Sequence, residues 1–430
     1  MLWLYGGFMR SLEPFLRLKL RLRARKEPLY GLAVDERFGH YQQPPQKGLV
    51  WMHAVSLGET RAILGLVQAM RQAHPGIRFV FTHGTATGRE QGQSLLQEGD
   101  VQVWQPWDTR GAVQRFFQHF QPSVGFLVDT EVWPMAVNQA RQSHIPLILI
   151  NARMSERSLR RALQWSWLSR PAFQGLQAVW AQTTHDARRF QRLGAQVQAV
   201  MGNLKFDAVP DPGLLAKGLS LRQAAKRPVI LLAISREGEE AALLKVLQEN
   251  PDYMQGVQWW IVPRHPQRFD AVAQMVKAAG GAMSRRSDWG DGLTPLQDTD
   301  ETPWVLGDSM GEMPFYFAAA HVCLLGGSFE PLGGQNLIEA CACGCPVVMG
   351  PHTFNFSQAA SLALKHDAAT RVSTMAEGVK VAYQLATQAQ SRVRASQAAS
   401  AFAKAHQGAM QRCLDLMPVS YTHLRAHETR

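Results

Sequence analysis

The chain has 430 residues, 46% of them apolar, and 45 Lys and Arg against 34 Asp and Glu give it a formal charge of +11. That length exceeds one ordinary domain, so two of roughly 200 residues each are expected, with apolar mass enough for two cores. The basic balance points to an anionic partner such as a nucleotide, a nucleic acid or a membrane surface, and five cysteines, three clustered in Cys341-Ala-Cys343-Gly-Cys345, argue against a secreted disulfide framework.

Met1 to Met9 is apolar and aromatic, but Arg10 ends the run far short of the roughly 20 residues that span a bilayer. No small-residue cleavage site follows, so a signal peptide is not expected. From Arg10 to Lys26 there are seven basic residues and one acid, interleaved with Leu12, Phe15, Leu16, Leu18, Leu20 and Leu22. Residues 1–30 therefore read as a basic, apolar segment suited to anionic lipid headgroups, against the plainer reading that it packs on the protein. Its helical face runs to Leu16; Leu18 to Leu22 alternates as a strand would.

Gly48 to Val55 begins a series of apolar runs, continued by Arg78 to Thr82, Val101 to Trp104, Val124 to Val128, Pro146 to Ile150 and Ala178 to Ala181. A second series comprises Pro228 to Ala233, Gln258 to Val262, Val305 to Leu306, Val322 to Leu325 and Pro346 to Met349. Strands alternating with helix-length segments predict doubly wound parallel α/β sheets. The Gly-, Pro- and Asp-rich stretch from Gly202 to Gly213 reads as a hinge. Residues 31–205 and 206–385 are the expected domains, 386–417 a closing helix. The basic tail 418–430 shows no core pattern and reads as disordered or foreign to the natural protein.

In open α/β sheets ligands bind beyond the carboxyl ends of strands. Gly333-Gly334-Gln335-Asn336 sits where a loop turns into a helix, a place that suits a phosphate. Ser56-Leu57-Gly58-Glu59 follows the first strand, and its carboxylate has two readings: a general base, or the Glu of an S-x-x-E capping box. Spacing alone favours the box, and a helix N-terminus weakens a base unless burial restores its pKa. Asp129-Thr130-Glu131 puts two more carboxylates on the rim. One D-x-E is too little for a hard cation, so no metal is expected. Fixed cations and backbone donors must then hold the leaving phosphate, with Lys205 and Arg264 the candidates. Glu339 lies one helical turn after Asn336, placed for ribose hydroxyls.

Six motifs in order carry a resemblance: His53-Ala54-Val55-Ser56-Leu57-Gly58-Glu59; Thr130-Glu131-Val132-Trp133-Pro134; Asn151-Ala152-Arg153-Met154-Ser155-Glu156-Arg157-Ser158; Gly202-Asn203-Leu204-Lys205-Phe206-Asp207; Pro263-Arg264-His265-Pro266; and Gly350-Pro351-His352-Thr353-Phe354-Asn355-Phe356. Together they closely resemble the 3-deoxy-D-manno-octulosonic acid (Kdo) transferases, over all but about the last dozen residues. The resemblance implies a GT-B glycosyltransferase, two Rossmann-like domains facing a central cleft, that moves Kdo from CMP-Kdo to a lipid A precursor (lipid IVA) in lipopolysaccharide biosynthesis. It implies a peripheral enzyme at the anionic cytoplasmic face of a Gram-negative inner membrane, with no cofactor or metal. It makes Glu59 the general base of an inverting displacement and matches Glu131 and Lys205 to residues supporting the transition state. It assigns CMP contacts to Pro263, Arg264, Met310, Gly311, Glu312, Asn336, Leu337, Ile338 and Glu339, and points Arg153 and Arg157 at acceptor phosphates.

Two departures stand out. Ile234-Ser235-Arg236-Glu237-Gly238 replaces the Gly-Ser-Thr-His-type loop expected near the donor, and the N-terminal apolar segment is shorter than a full anchor. The rivals are a nucleotide-sugar epimerase or hydrolase on the same fold, and a catalytically inactive lipid-binding relative. No aromatics interleave a basic stripe, which speaks against nucleic acid.

Overall fold

The computed structural model describes residues 2–207, 210–290 and 302–417. The tail read from 418 onward lies outside the described residues. The chain divides into one unit of Met1–Asp207 with Gln407–Arg430 and a second of Ala208–His406.

In the first unit β1 (Val50–His53), β2 (Phe79–His83), β3 (Val101–Trp104), β4 (Val124–Val128), β5 (Leu147–Ala152), β6 (Ala178–Ala181) and β7 (Val197–Val200) form one sheet in the order β3-β2-β1-β4-β5-β6-β7. Every pairing is parallel, with Val50 opposite both Phe79 and Val124. In the second unit β8 (Val229–Ser235), β9 (Gln258–Pro263), β10 (Met283–Arg285), β11 (Trp304–Leu306), β12 (Val322–Leu325), β13 (Val347–Met349) and β14 (Ala369–Arg371) run in the order β10-β11-β9-β8-β12-β13-β14, again wholly parallel. The strand order turns back between β1 and β4 in one sheet and between β8 and β12 in the other, and those crevices are where a doubly wound sheet binds ligands.

Both faces of the first sheet are covered. Trp51 packs with Phe116, Phe117 and Phe120 on one side, while Met52 joins Ile63, Phe81, Phe126 and Trp180 on the other. A strand buried on both faces shows a continuous apolar run, so the central strands are legible in sequence. Three edge strands, β7, β10 and β14, were not expected. Their residues are largely half-buried or exposed, and an edge strand covered on one side carries no such run.

The N-terminal segment forms two helices, Leu2–Ser11 and Glu13–Ala24, so the alternation from Leu18 to Leu22 is helical after all. Leu20 is buried while Leu18 and Leu22 stay 53% and 51% exposed, because a step of two residues crosses to the opposite side of a helix. The segment is fastened to the first unit: Tyr5 donates to Asp108 at 2.9 Å and the Arg17 guanidinium lies 3.7 Å from the centre of the Phe38 ring. Among the described residues no helix is long and apolar enough to cross a membrane.

The stretch read as a hinge holds the boundary between the two units, at Asp207–Ala208. Leu204–Phe206 makes a 3-10 turn, and Asp211 caps the Pro212–Ala224 helix by accepting from Leu214 N at 2.8 Å. Proline at the first helical position and an Asp before it mark a helix start at the far end of the same stretch. The single closing helix is also corrected. Met375–Thr387 and Ala389–His406 belong to the second unit, and Gly408, at φ +92°, starts Ala409–Leu416, which buries Ala409 and Cys413 in the core of the first. The Asp207 carboxylate accepts from Gly408 N and Met410 N and seats that returning helix. All five cysteines are free and buried, as small packing residues.

Candidate active site

At the end of β1 the chain passes through Ala54 and Val55 into the Leu57–Ala73 helix, with Ser56 as N-cap. Glu59 N donates to Ser56 Oγ at 3.4 Å, the Ser56 hydroxyl donates back to Glu59 Oε1 at 2.7 Å, and Val55 N donates to Glu59 Oε2 at 2.8 Å. The capping box is therefore closed. Each carboxylate oxygen still has acceptor capacity left, so the box does not silence the group. Burial raises the Glu59 proton affinity, the bonds from Ser56 and Val55 lower it, the nearby Asp129 charge adds to the rise, and the balance is upward. Desolvation outweighs the helix N-terminus here. Beneath the loop, buried His83 puts Nδ1 2.8 Å from Ala54 O; that nitrogen carries the proton, since a carbonyl only accepts.

Two neighbouring strand ends depart from ordinary backbone. Asp129, just after β4, has φ +63°, and Asn151, near the end of β5, has φ +51°. Left-handed backbone costs an L-residue about 1–2 kcal/mol, least for Asn and Asp. Side-chain bonds hold it in place. Asn151 Nδ2 donates to Asp129 Oδ1 at 3.1 Å, Gln182 Nε2 donates to Asn151 O at 2.9 Å, and Arg153 Nε donates to Asp129 Oδ2 at 3.2 Å. Asn151 Oδ1 in turn accepts from Leu204 N at 3.0 Å, which fixes the turn bearing Lys205. The Lys205 ammonium reaches to within 3.9 Å of where a side chain on Gly58 would begin, and its charge bears on Asp129.

Glu131 accepts from Trp133 Nε1 at 3.1 Å. Burial first, then the charges of Glu59 and Asp129, push its carboxyl up to about 7. The first unit thus brings together Glu59, Glu131, Asp129 and Lys205, while Arg153 stays more than half exposed and Arg157 points to solvent from the Glu156–Gln164 helix. Asp129 is occupied by Asn151 and Arg153. Among the described residues no three His, Cys, Asp or Glu side chains converge as metal ligands. Asn151 and Gln182 escaped the sequence reading as site residues; Asn151 stood inside a quoted motif, and Gln182 had only its place one residue after β6 to signal it.

In the second unit Pro263 ends β9 and Arg264 N donates to Ser235 O at 3.0 Å, tying the ends of β9 and β8 together. The half-buried Arg264 guanidinium has no hydrogen bond or ion pair with the described residues. Met310 is 59% exposed and Gly311 has φ +80°, while Glu312 is held by Arg286 at 2.8 Å and by the Ser309 hydroxyl. Asn336 caps the Leu337–Ala342 helix by accepting from Ile338 N at 3.1 Å; Leu337 and Ile338 are buried, and burial raises the proton affinity of Glu339. The Gly pair adopts left-handed backbone, with φ +91° at Gly333 and +75° at Gly334. The helix, however, starts only at Leu337, and Gly334 N donates to Gly327 O at 2.7 Å. The backbone donor expected for an anion at Gly334 is already engaged.

Comparisons with known proteins agree with the motifs. Residues 33–208 match the family described as 3-Deoxy-D-manno-octulosonic-acid transferase (kdotransferase). A 3-deoxy-D-manno-octulosonic acid transferase of Bordetella pertussis is 42% identical over 428 residues, covering 96% of this chain and 98% of that protein. The Haemophilus influenzae enzyme of the same name is 30% identical over 425 residues, covering 96% and 97%. Among solved structures, the UDP-GlcNAc 2-epimerase of Neisseria meningitidis superposes with a TM-score of 0.52 at 14% identity, covering 86% of this chain and 99% of that one. MurG of Acinetobacter baumannii does so at 0.50 and 15%, with 86% and 99% covered. At such identities these two bear on the fold alone, and they agree with two Rossmann-like units of the GT-B class. Carrying the ordered motifs on that fold, and matching its relatives along nearly their whole length, the chain belongs to the Kdo transferases, a family of glycosyltransferases.

Proposed function

We propose that this Kdo transferase takes Kdo from CMP-Kdo and delivers it to a lipid A precursor such as lipid IVA by an inverting, single displacement, with Glu59 as general base. The observation that carries the reading is the half-buried carboxylate cluster after β1 and β4, in which Glu59 has a raised proton affinity and Lys205 lies beside Gly58 with its charge on Asp129. A carboxylate lifted out of its usual range is a better proton acceptor for a sugar hydroxyl than one held low by a helix terminus. As the acceptor oxygen attacks the anomeric carbon, its proton passes to Glu59 and the C–O bond to CMP breaks with its electron pair. Glu131, pushed up to about 7, carries its proton in part near neutrality and can then donate it to the reacting groups. Lys205 balances the second negative charge.

On the donor side, Arg264 and the loop at Met310 to Glu312 receive the nucleotide, with Asn336 and Glu339 near the ribose. The phosphate is held by guanidinium groups, without a metal. Arg153 and Arg157 meet acceptor phosphates, and the exposed Leu4, Phe8, Phe15, Leu18 and Leu22 of the N-terminal helices, set among basic residues, seat the enzyme peripherally on the anionic cytoplasmic face of the inner membrane.

The test is to incubate the protein with CMP-Kdo and a tetraacylated lipid A precursor in detergent and chelator, and to weigh the lipid by mass spectrometry. Lipid gaining one or more Kdo masses with wild type and none with Glu59→Gln supports the reading. Unmodified lipid beside a folded, CMP-binding protein refutes it and favours an epimerase, a hydrolase or an inactive relative.

A further inference from the structure

In the second unit the loop after β8 departs from the family pattern at Arg236, and its surroundings are unusual. Glu239 is wholly buried, and one of its oxygens accepts from both Arg236 N, at 2.9 Å, and Gly327 N, at 2.7 Å, while the other accepts from Phe329 N at 3.1 Å. One carboxylate therefore joins the loop after β8 to the loop after β12, across the crevice where the strand order reverses. Ser235 donates to Glu240 at 2.6 Å, and Arg268 grips Glu240 at 2.7 and 2.9 Å, so the root of the loop is rigid.

This clamp lays the Arg236 side chain over Gly327. A Cβ added at Gly327 would come 3.2 Å from Gln335 Nε2 and 3.6 Å from Arg236 Cγ, so Arg236 and Gln335 flank the same glycine, immediately beside the Gly333-Gly334 turn. Three backbone donors of this loop cluster are already in use: Gly327 N and Phe329 N on Glu239, Gly334 N on Gly327 O. An anion beside Gly327 therefore gains from a side-chain donor. Arg236 pairs with Glu237, at 3.1 Å on a carboxylate 57% exposed, and such surface pairs hold a guanidinium weakly. The next strand end along the rim, Arg264, is bonded through its backbone to Ser235, the residue before Arg236.

We infer that Arg236 is a second donor-binding guanidinium, held by Glu239 over Gly327 and Gln335, where it exchanges its pair with Glu237 for an anionic group of the donor substrate. A guanidinium offers a planar pair of donors that suits a phosphodiester and a carboxylate alike. An acidic sugar nucleotide bears both. The inference rests on the donor-site reading above.

Binding of CMP, of CMP-Kdo and of free Kdo is measured by calorimetry without acceptor for wild type, Arg236→Thr, Arg236→Lys and Arg264→Ala, beside a melting curve for each. Arg236→Thr should melt like wild type and bind CMP-Kdo roughly tenfold to a hundredfold more weakly, with Arg236→Lys in between. In turnover its donor KM rises while the acceptor KM stays. If CMP weakens in parallel, the anion is the phosphodiester; if CMP is unaffected and only the Kdo-bearing ligands weaken, it is the sugar carboxylate. Wild-type affinity of Arg236→Thr for all three, beside a weakened Arg264→Ala, overturns the role of Arg236 and leaves the donor site standing. A wild type that binds neither CMP nor CMP-Kdo removes the donor-site reading and this role with it.

Discussion

Each unit is a seven-stranded parallel sheet with chemistry-bearing residues at its own strand ends, yet the two partner their carboxylates differently. In the first unit Glu59 and Glu131 are only partly matched by donors, and burial lifts the proton affinity of both. In the second, burial raises the proton affinity of Glu239 as well, but three backbone N–H groups bind it, and Glu240, fully buried, takes both arms of Arg268. A carboxylate left short of partners is a place to put a proton. One saturated with donors is a rigid strut, and it leaves the cations around it, Arg236 and Arg264, to face a ligand.

The sharpest way to break the contrast is to neutralise one carboxylate of each kind. Glu59→Gln keeps an oxygen to accept from Val55 N and turns its amide NH2 toward the Ser56 hydroxyl, which can accept, so the fold should stand while kcat falls by about 10²–10⁴, the usual worth of a general base. Loss of folding instead would mean that Glu59 is structural. For the strut, Arg268→Ala leaves the Glu240 charge buried and unpaired, and should cost about 3–5 kcal/mol in urea unfolding. Replacing both partners by apolar residues of similar volume should recover most of it. An Arg268→Ala as stable as wild type would show that water reaches Glu240.

Asn151 tests how the first rim is held. Asn151→Ala removes the bonds to Asp129 and to Leu204 N and leaves an alanine at φ +51°, so unfolding should cost about 1–3 kcal/mol. Because Leu204 carries Lys205, kcat should fall as well; unchanged turnover would free Lys205 from the mechanism. The smallest effect concerns pH. Glu131 is raised from 4.5 to about 7, so the folded state binds its proton more tightly than the unfolded chain. Its contribution to stability is complete below 4.5 and is lost as pH rises through about 7. Glu131→Gln should therefore gain stability relative to wild type above that range and none below it. Melting curves across the window that run parallel would place Glu131 in water.

Legibility followed burial. The central strands were readable because both faces are covered, while β7, β10 and β14 were not, being edges with mixed surroundings. The stretch from Gly202 to Gly213 was legible as an inter-unit segment, since the boundary at Asp207–Ala208 falls within it, while Asp211 and Pro212 also mark the start of the next helix. Among the candidate site residues, Glu59 and Lys205 stood inside quoted motifs, and the closed capping box shows that spacing read the local structure at Glu59 correctly. Gln182 was invisible, since a glutamine one residue past a strand says nothing of the Asn151 carbonyl it will meet.

By itself the sequence determined which residue types stand at which strand ends, because the alternation of apolar runs with helix-length segments fixes two doubly wound sheets and places the intervening loops on their rims. Only the tertiary structure decided what those residues do there. Proton affinity depends on how much water burial removes and on which charges lie near, and a backbone donor is free or engaged according to partners that are distant in the chain, as Gly327 N is by Glu239.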